Sequence, residues 1–310
     1  MHAARLSAGA LVFLLSLIVG PYYVNGDQSV YRKVYDALPE LSVTEGYRYY
    51  SLTLSSEEVV HFSACWLASR VMEKDLFVAL SNAVLAYASM ALFKKWKASA
   101  VLSVLLLLTN FYFLVLYFAA ERLKFGFIFL ILMLVNQDSV RRSWGFAALA
   151  TVSHVQVIVI FISMLIDYCG RHVRRILLVM KRPVAVSLFV AVVAGIVWLV
   201  GNQVMSKVPA YYGKGSIVGL LRIAIFFSMA LWYARSKRQA VFLFVPVVIA
   251  TFAVGGERMN MIGYCLFLYF GLQYRGGWNV GVVATSAYFA YSSIGFLENV
   301  FRYGDGFFLG

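Results

Sequence analysis

Charge is scarce in this 310-residue chain: only 13% of its residues are charged, and just 14 of them are acidic. Against 62% hydrophobic residues and a mean hydropathy of +0.80, that is too little charge to cover one water-soluble core. Cysteine is scarce as well. Cys65, Cys169 and Cys265 lie far apart, with no C-x-x-C and no histidine at metal-ligand spacing, which argues against a disulfide framework and a structural zinc site. No H-E-x-x-H, Walker A loop, G-x-S-x-G or G-x-G-x-x-G pattern occurs. ATP-driven transport and soluble-type hydrolase chemistry therefore have no support, and the expected chemistry needs neither cofactor nor metal.

What is abundant is apolar sequence in runs long enough to cross a bilayer, since a span needs roughly 20 apolar residues. Such runs fall near 7–24, 76–93, 98–119, 123–136, 145–167, 184–204, 217–234, 239–254, 259–273 and 278–297. The first has no A-x-A-like cleavage site, and Pro21-Tyr22-Tyr23 reads as an interfacial belt, so it is taken as a retained span. The stretch 59–72 is shorter and carries His61 and Arg70; it is either a poor span or a helix lying in the interface. The expectation is an all-α, polytopic membrane bundle of about 10–11 helices, some of them re-entrant, forming a single domain over the whole chain.

The net charge of +13 sits in short clusters between these runs, as at Lys94-Lys95-Lys97, Arg141-Arg142 and Arg171-Arg174-Arg175. Such clusters mark cytoplasmic span ends and attract anionic headgroups; they are not a nucleic-acid signature. The one long hydrophilic segment, 25–58, holds six acidic residues against three basic ones. That balance suits the non-cytoplasmic side and puts the N-terminus in the cytoplasm. Within it, Asp27, Tyr31 and Tyr35 recur at helical spacing on one face of an amphipathic helix.

Polar groups among apolar runs carry the chemistry, because they are costly to bury. Arg122 stands in LVLYFAAERLKFGFIFLILML. It is either a loop charge paired with Glu121 or a guanidinium fork for phosphate oxygens. His154 lies about ten residues beyond the last charge, which at roughly 1.5 Å per residue is near mid-membrane depth. It is either a satisfied buried histidine or a proton-transfer or substrate-binding group, with Gln156 as partner or second ligand. Arg258 follows the Gly255-Gly256 break and precedes Asn260; a capped helix start with a snorkelling arginine is the plain alternative. Tyr211, Tyr212 and Lys214 offer an aromatic and cationic surface for saccharide or lipid phosphate. Arginines, tyrosines and a few carboxylates at the ends of apolar helices suit a lipid-linked pyrophosphate bearing sugars.

In the order of these features the chain resembles the EpsG/Wzy-type bacterial polysaccharide (O-antigen) polymerases over most of its length. The family's Gly-x-Asp-like start with a tyrosine four residues on is matched by Asn25-Gly26-Asp27 and Tyr31, and its acidic residue by Glu57 or Glu58. Arg122, the turn Arg141-Arg142, His154, the loop residues Tyr211, Tyr212 and Lys214, and Arg258 follow in the family's order. The chain departs from the family at three places. Pro21-Tyr22-Tyr23 stands where an arginine is common, Leu123 where Gln often follows the arginine, and Ser153 where Phe often precedes the histidine.

The resemblance implies a GT-C-like fold and an inverting glycosyl transfer at the periplasmic face of the inner membrane. The donor would be a glycan on undecaprenyl pyrophosphate, and the acceptor a single lipid-linked repeat unit. Partners would be that lipid-linked oligosaccharide, membrane lipid and a chain-length regulator, with no nucleic acid. The implied catalytic residues are Arg122 and Arg258 on the leaving pyrophosphate, with His154 or one of Asp27, Glu57 and Glu58 as base. The implied substrate contacts are Tyr31, Glu57, Lys124, Gln156, Tyr211, Tyr212, Lys214 and Asn260. A flippase or transporter of lipid-linked saccharides is the competing reading, although no internal repeat marks two halves. A polysaccharide acyltransferase and a purely structural subunit stand further off.

Overall fold

The structure, a computed structural model, describes residues 2–179 and 217–308, with backbone alone at 173–179, 217, 253–254 and 257–258. Every regular element among the described residues is helical. In chain order these are α1 (His2–Val19), α2 (Asp27–Ala37), α3 (Val43–Leu54), α4 (Val59–Ala68) and α5 (Lys74–Lys95). Then follow α6 (Ala100–Thr109), α7 (Phe111–Leu114), α8 (Glu121–Val135), α9 (Val140–Ser153) and α10 (Val157–Val179). Beyond the segment 180–216 come α11 (Ile217–Tyr233), α12 (Lys237–Val254), α13 (Gly256–Gly271) and α14 (Val280–Tyr303). The expected span 184–204 lies outside the described residues.

Among the described residues, three helices are long and apolar enough to cross a membrane: His2–Tyr22, Lys74–Lys95 and Arg275–Tyr303. A fourth crossing is available if the bent pair Ala100–Thr109 and Phe111–Ala119 counts as one span. The chain is thus an all-α protein of membrane-spanning character. The run 98–119 was expected to be continuous, but it bends by 57°. Asn110 is extended (φ −81°, ψ 127°), and its side chain caps the next helix by accepting from the Tyr112 N–H. A π-helical turn over Val115–Ala119 follows, and Ala120 (φ −105°, ψ 56°) leaves the helical region before α8 begins. Glu121 and Arg122 therefore open a helix, where π-turns often prepare functional sites.

Two compact units emerge from the contacts: residues 1–154 with 275–310, and residues 155–274. In the first, α1 packs on α5, and a buried bond from Asn82 to the Ser16 hydroxyl (3.0 Å) ties them. Helix α5 places Asp75 in its first turn and Lys94 and Lys95 in its last, the arrangement its dipole favours. The hydrophilic segment 25–58 folds into α2 and α3. Ser42 and Glu45 form a reciprocal capping box that starts α3. Tyr31 and Tyr35 of α2 are buried, whereas Asp27 is exposed in its first turn. Asp27 is the first residue of α2, so it sits at the helix's open N-terminal end, where its charge suits the helix dipole.

The stretch 59–72 resolves into the ten-residue α4, too short to span. Its Phe62 and Cys65 enter a buried cluster with Val34, Tyr35, Leu38, Tyr50 and Phe77. In the second unit, α11 and α13 approach so closely that a Cβ on Gly219 would stand 2.8 Å from the Gly256 Cα. Asp167 on α10 holds Arg171 at 2.7 Å, and Gln239 on α12 reaches the same carboxylate at 3.4 Å.

Candidate functional site

The candidate site lies in the first unit, at the N-terminal ends of α4 and α8. Glu58 is the N-cap residue of α4 and is buried at 8% exposure. Its two oxygens face different partners: Arg122 Nε stands 3.3 Å from Oε2 and His154 Nε2 3.5 Å from Oε1. A carboxylate inside a largely apolar wall is held there by this paired charge. The carboxylate facing Arg122 is therefore Glu58, brought from 64 residues away in sequence, rather than the adjacent Glu121.

Arg122 also donates from Nε to the Tyr31 hydroxyl at 3.0 Å, and its guanidinium carbon sits 5.8 Å over the Tyr31 ring. Among the described residues its terminal nitrogens have no hydrogen-bond partner, and its side chain is 23% exposed. Four N–H donors thus remain for an anion, in the planar fork that suits phosphate oxygens. Glu121, Lys124 and Lys74 lie behind it in the wall.

His154 was expected inside a continuous span over 145–167, at mid-membrane depth. Instead α9 ends at Ser153, and His154 is extended at φ −163°, ψ 128°. In the last turns of α9, Thr151 donates to the Ala147 C=O at 2.9 Å and Ser153 to the Leu149 C=O at 2.6 Å. Leaving the helix lets the imidazole turn to Glu58, an approach that periodicity gives no sign of.

The remaining sequence-derived candidates are distributed unevenly. Glu57 is exposed beside Glu58, and Asp27 is exposed at the start of α2. Lys124 is fully buried, and its ammonium donates to Ser81 Oγ (3.0 Å), Asn82 Oδ1 (2.6 Å) and the Tyr117 C=O (3.2 Å). With its three protons committed, it braces α5 against α8 and presents no donor to a substrate in this conformation. Gln156 and Asn260 belong to the second unit and are buried at 4% and 0% exposure. The Asn260 amide has no hydrogen-bond partner among the described residues. Arg258 opens α13, where only its backbone is described. Tyr211, Tyr212 and Lys214 lie outside the described residues.

Sequence reasoning missed a second group directly behind the site. Glu121 accepts from Lys74 Nζ at 2.5 Å and from Gln28 Nε2 at 2.7 Å, and His61 Nε2 stands 3.5 Å from it. His61 Nδ1 pairs with the Tyr50 hydroxyl at 2.9 Å. Burial pushes His61 down to about 4, against the pull of the Glu121 charge. A neutral ring fits both contacts: Nε2–H faces Glu121, and Nδ1 accepts from Tyr50. Burial likewise raises the Tyr31 and Tyr50 phenols, so both remain protonated. Lys74 gave no signal because it sits at a helix start amid ordinary interfacial residues, and His61 stood out only as a polar residue that makes 59–72 a poor span.

No protein-family model, no curated protein and no solved structure matches the chain.

Proposed function

We propose that this chain is a membrane glycosyltransferase of the EpsG/Wzy polymerase type, joining lipid-linked oligosaccharide repeat units by inverting transfer. The observation that carries the reading is the Arg122 guanidinium: fixed through Nε by Glu58 and Tyr31, with its other nitrogens uncommitted. Such a fork at the start of an apolar helix suits a polyprenyl pyrophosphate, whose lipid tail lies in the bilayer and whose charge lies at its edge.

In the proposed reaction a hydroxyl of the acceptor repeat attacks the anomeric carbon of the donor glycan. The new O–C bond forms as the bond from that carbon to the pyrophosphate oxygen breaks, and the electron pair leaves with undecaprenyl pyrophosphate. The hydroxyl proton passes to the Glu58–His154 pair, in which the imidazole and carboxylate stand 3.5 Å apart. Arg122 stabilises the charge that grows on the leaving group. Exposed Asp27 and Glu57 are proposed as acceptors for sugar hydroxyls. The donor bond already stores the energy, so the scheme calls on neither ATP nor a metal. In this reading the chain sits in a bacterial inner membrane as a GT-C-like bundle of about 10–11 spanning or re-entrant helices. The N-terminus is cytoplasmic and 25–58 periplasmic, and a chain-length regulator acts beside it.

The test uses purified protein in proteoliposomes with a synthetic undecaprenyl-pyrophosphate-linked repeat. Products of two or more repeats should form together with free undecaprenyl pyrophosphate, and Arg122→Ala should lower their rate by about 100-fold or more. Transbilayer movement of the repeat with no new glycosidic bond would replace this reading with a flippase.

A further inference from the structure

The buried group behind the site repeats the site's own architecture. Helix α2 gives Tyr31 to the site and Gln28, three residues earlier, to the group behind it. The start of α4 gives Glu58 to the site and His61, three residues later, to that group. Helix α8 gives Arg122 to the site and its neighbour Glu121 to that group. The Tyr31–Arg122 contact (3.0 Å) and the Gln28–Glu121 contact (2.7 Å) thus run side by side between the same two helices. On the α4 side, Glu58–Arg122 (3.3 Å) runs beside His61–Glu121 (3.5 Å).

Both members of the rear group's ion pair are almost completely enclosed, Glu121 at 0% and Lys74 at 5% exposure. An enclosed ion pair is a poor source of stability, because desolvation offsets most of the attraction; its better-attested use is to fix register. Here the register at stake is that of three helices, α4, α8 and α2, which separately supply the acid, the arginine and the phenol of the site. A single carboxylate meets all of them: Glu121 contacts Gln28 on α2, His61 on α4 and Lys74 on α5 while sitting on α8 itself. Gln28 adds a second tie to α8's approach by donating to the Phe118 C=O.

We propose that Glu121 is a positioning residue, and that the Gln28–His61–Glu121–Lys74 cluster sets the geometry of Tyr31, Glu58 and Arg122. The assignment rests on the polymerase reading for its activity test, but it also has a test independent of turnover. Removing both charges together as Glu121→Leu/Lys74→Leu takes out the ion pair as a whole and leaves Lys124 held by Ser81, Asn82 and the Tyr117 C=O, so the chain should still reach the membrane folded. Its polymerisation rate should fall by about 10- to 100-fold, the scale at which a misplacement of ~1 Å acts, and KM for the lipid-linked repeat should rise as the pyrophosphate loses its hold on Arg122. Glu121→Gln/Lys74→Gln, which restores hydrogen-bonding side chains without charge, should recover most of that loss. A merely structural cluster would show neither this loss in folded protein nor the rescue.

The independent readout uses inorganic pyrophosphate as the probe. In wild-type protein it should shield Arg122 from phenylglyoxal, as mapped by mass spectrometry, and in the double-leucine variant that shielding should weaken by about 10-fold. Should the double variant fail to accumulate, Gln28→Leu releases α2 alone and should give the same two changes in smaller measure. A folded double-leucine or Gln28→Leu protein with wild-type rate and wild-type shielding would overturn the positioning role. If wild-type protein lacks polymerisation, the enzyme reading falls, while the shielding comparison still decides whether Glu121 positions Arg122.

Discussion

At the residue scale, the account rests on Glu58 as the joint between Arg122 and His154. Glu58→Gln keeps size and shape but removes the charge both partners face. Polymerisation by this variant should drop by about 100-fold or more with the protein still in the membrane, measured as glycosidic bonds formed in proteoliposomes. A wild-type rate would remove Glu58 from the proton path. His61 supplies a second prediction. Its surroundings are Glu121, Lys74, Tyr50, Cys65 and the rings of Tyr31 and Phe125. Burial lowers it from its ordinary 6.5 to about 4, so between these values the unfolded chain binds the extra proton. Stability should therefore be complete above pH 6.5 and decline as pH falls through that window towards 4. In a His61→Phe variant that part of the pH dependence should vanish from thermal unfolding curves. An unchanged slope would show that the imidazole is already charged in the fold.

At the element scale, the loop before α2 sets where Tyr31 and Gln28 point. Gly26 has φ +58°, and a Cβ there would stand 2.8 Å from the Asp305 carboxylate. Gly26→Ala should cost about 1–3 kcal/mol through strain and crowding, seen as a lower midpoint in thermal unfolding. An unaltered midpoint would mean that the loop yields freely. Part of this element-level picture was legible in the sequence. Apolar runs mark α1, α5 and α14 because nothing interrupts their periodicity, and Asp27–Tyr31–Tyr35 spacing marks α2. The breaks at Asn110 and His154 were not legible. The first depends on the Asn110 side chain accepting from a backbone N–H that a continuous helix would otherwise use, and hydropathy is blind to that exchange; the second brings His154 to Glu58, a contact made by packing. Arg122 and His154 stood out by their polarity, whereas their meeting on Glu58 depends on tertiary packing alone. Lys124 stood out equally but proves to be an internal brace, since charge in an apolar run does not reveal whether it faces a cavity or a neighbouring helix.

At the scale of the whole molecule, the unit holding the candidate site is assembled from both ends of the chain. The end of α14 is tied to the loop before α2: the N–H groups of Val24 and Asn25 donate to the Gly304 C=O at 3.1 and 2.8 Å. The Asn25 side chain donates to the Tyr303 C=O at 2.7 Å, and the Tyr23 hydroxyl meets Asp305 at 3.4 Å. Removing residues 304–310 should therefore raise amide hydrogen exchange across 24–31, and protection equal to wild type would show that the tie is dispensable. Above these contacts stands the central claim, that Arg122 holds a polyprenyl pyrophosphate while sugars are joined. The most direct measurement is the length distribution of surface polysaccharide in a strain lacking this gene and complemented with Arg122→Ala. The account predicts collapse of the ladder to a single repeat on an intact core, with the variant protein present in the membrane. An unchanged ladder would contradict the account, and loss of the first repeat as well would move the function upstream to a flippase or an assembly partner.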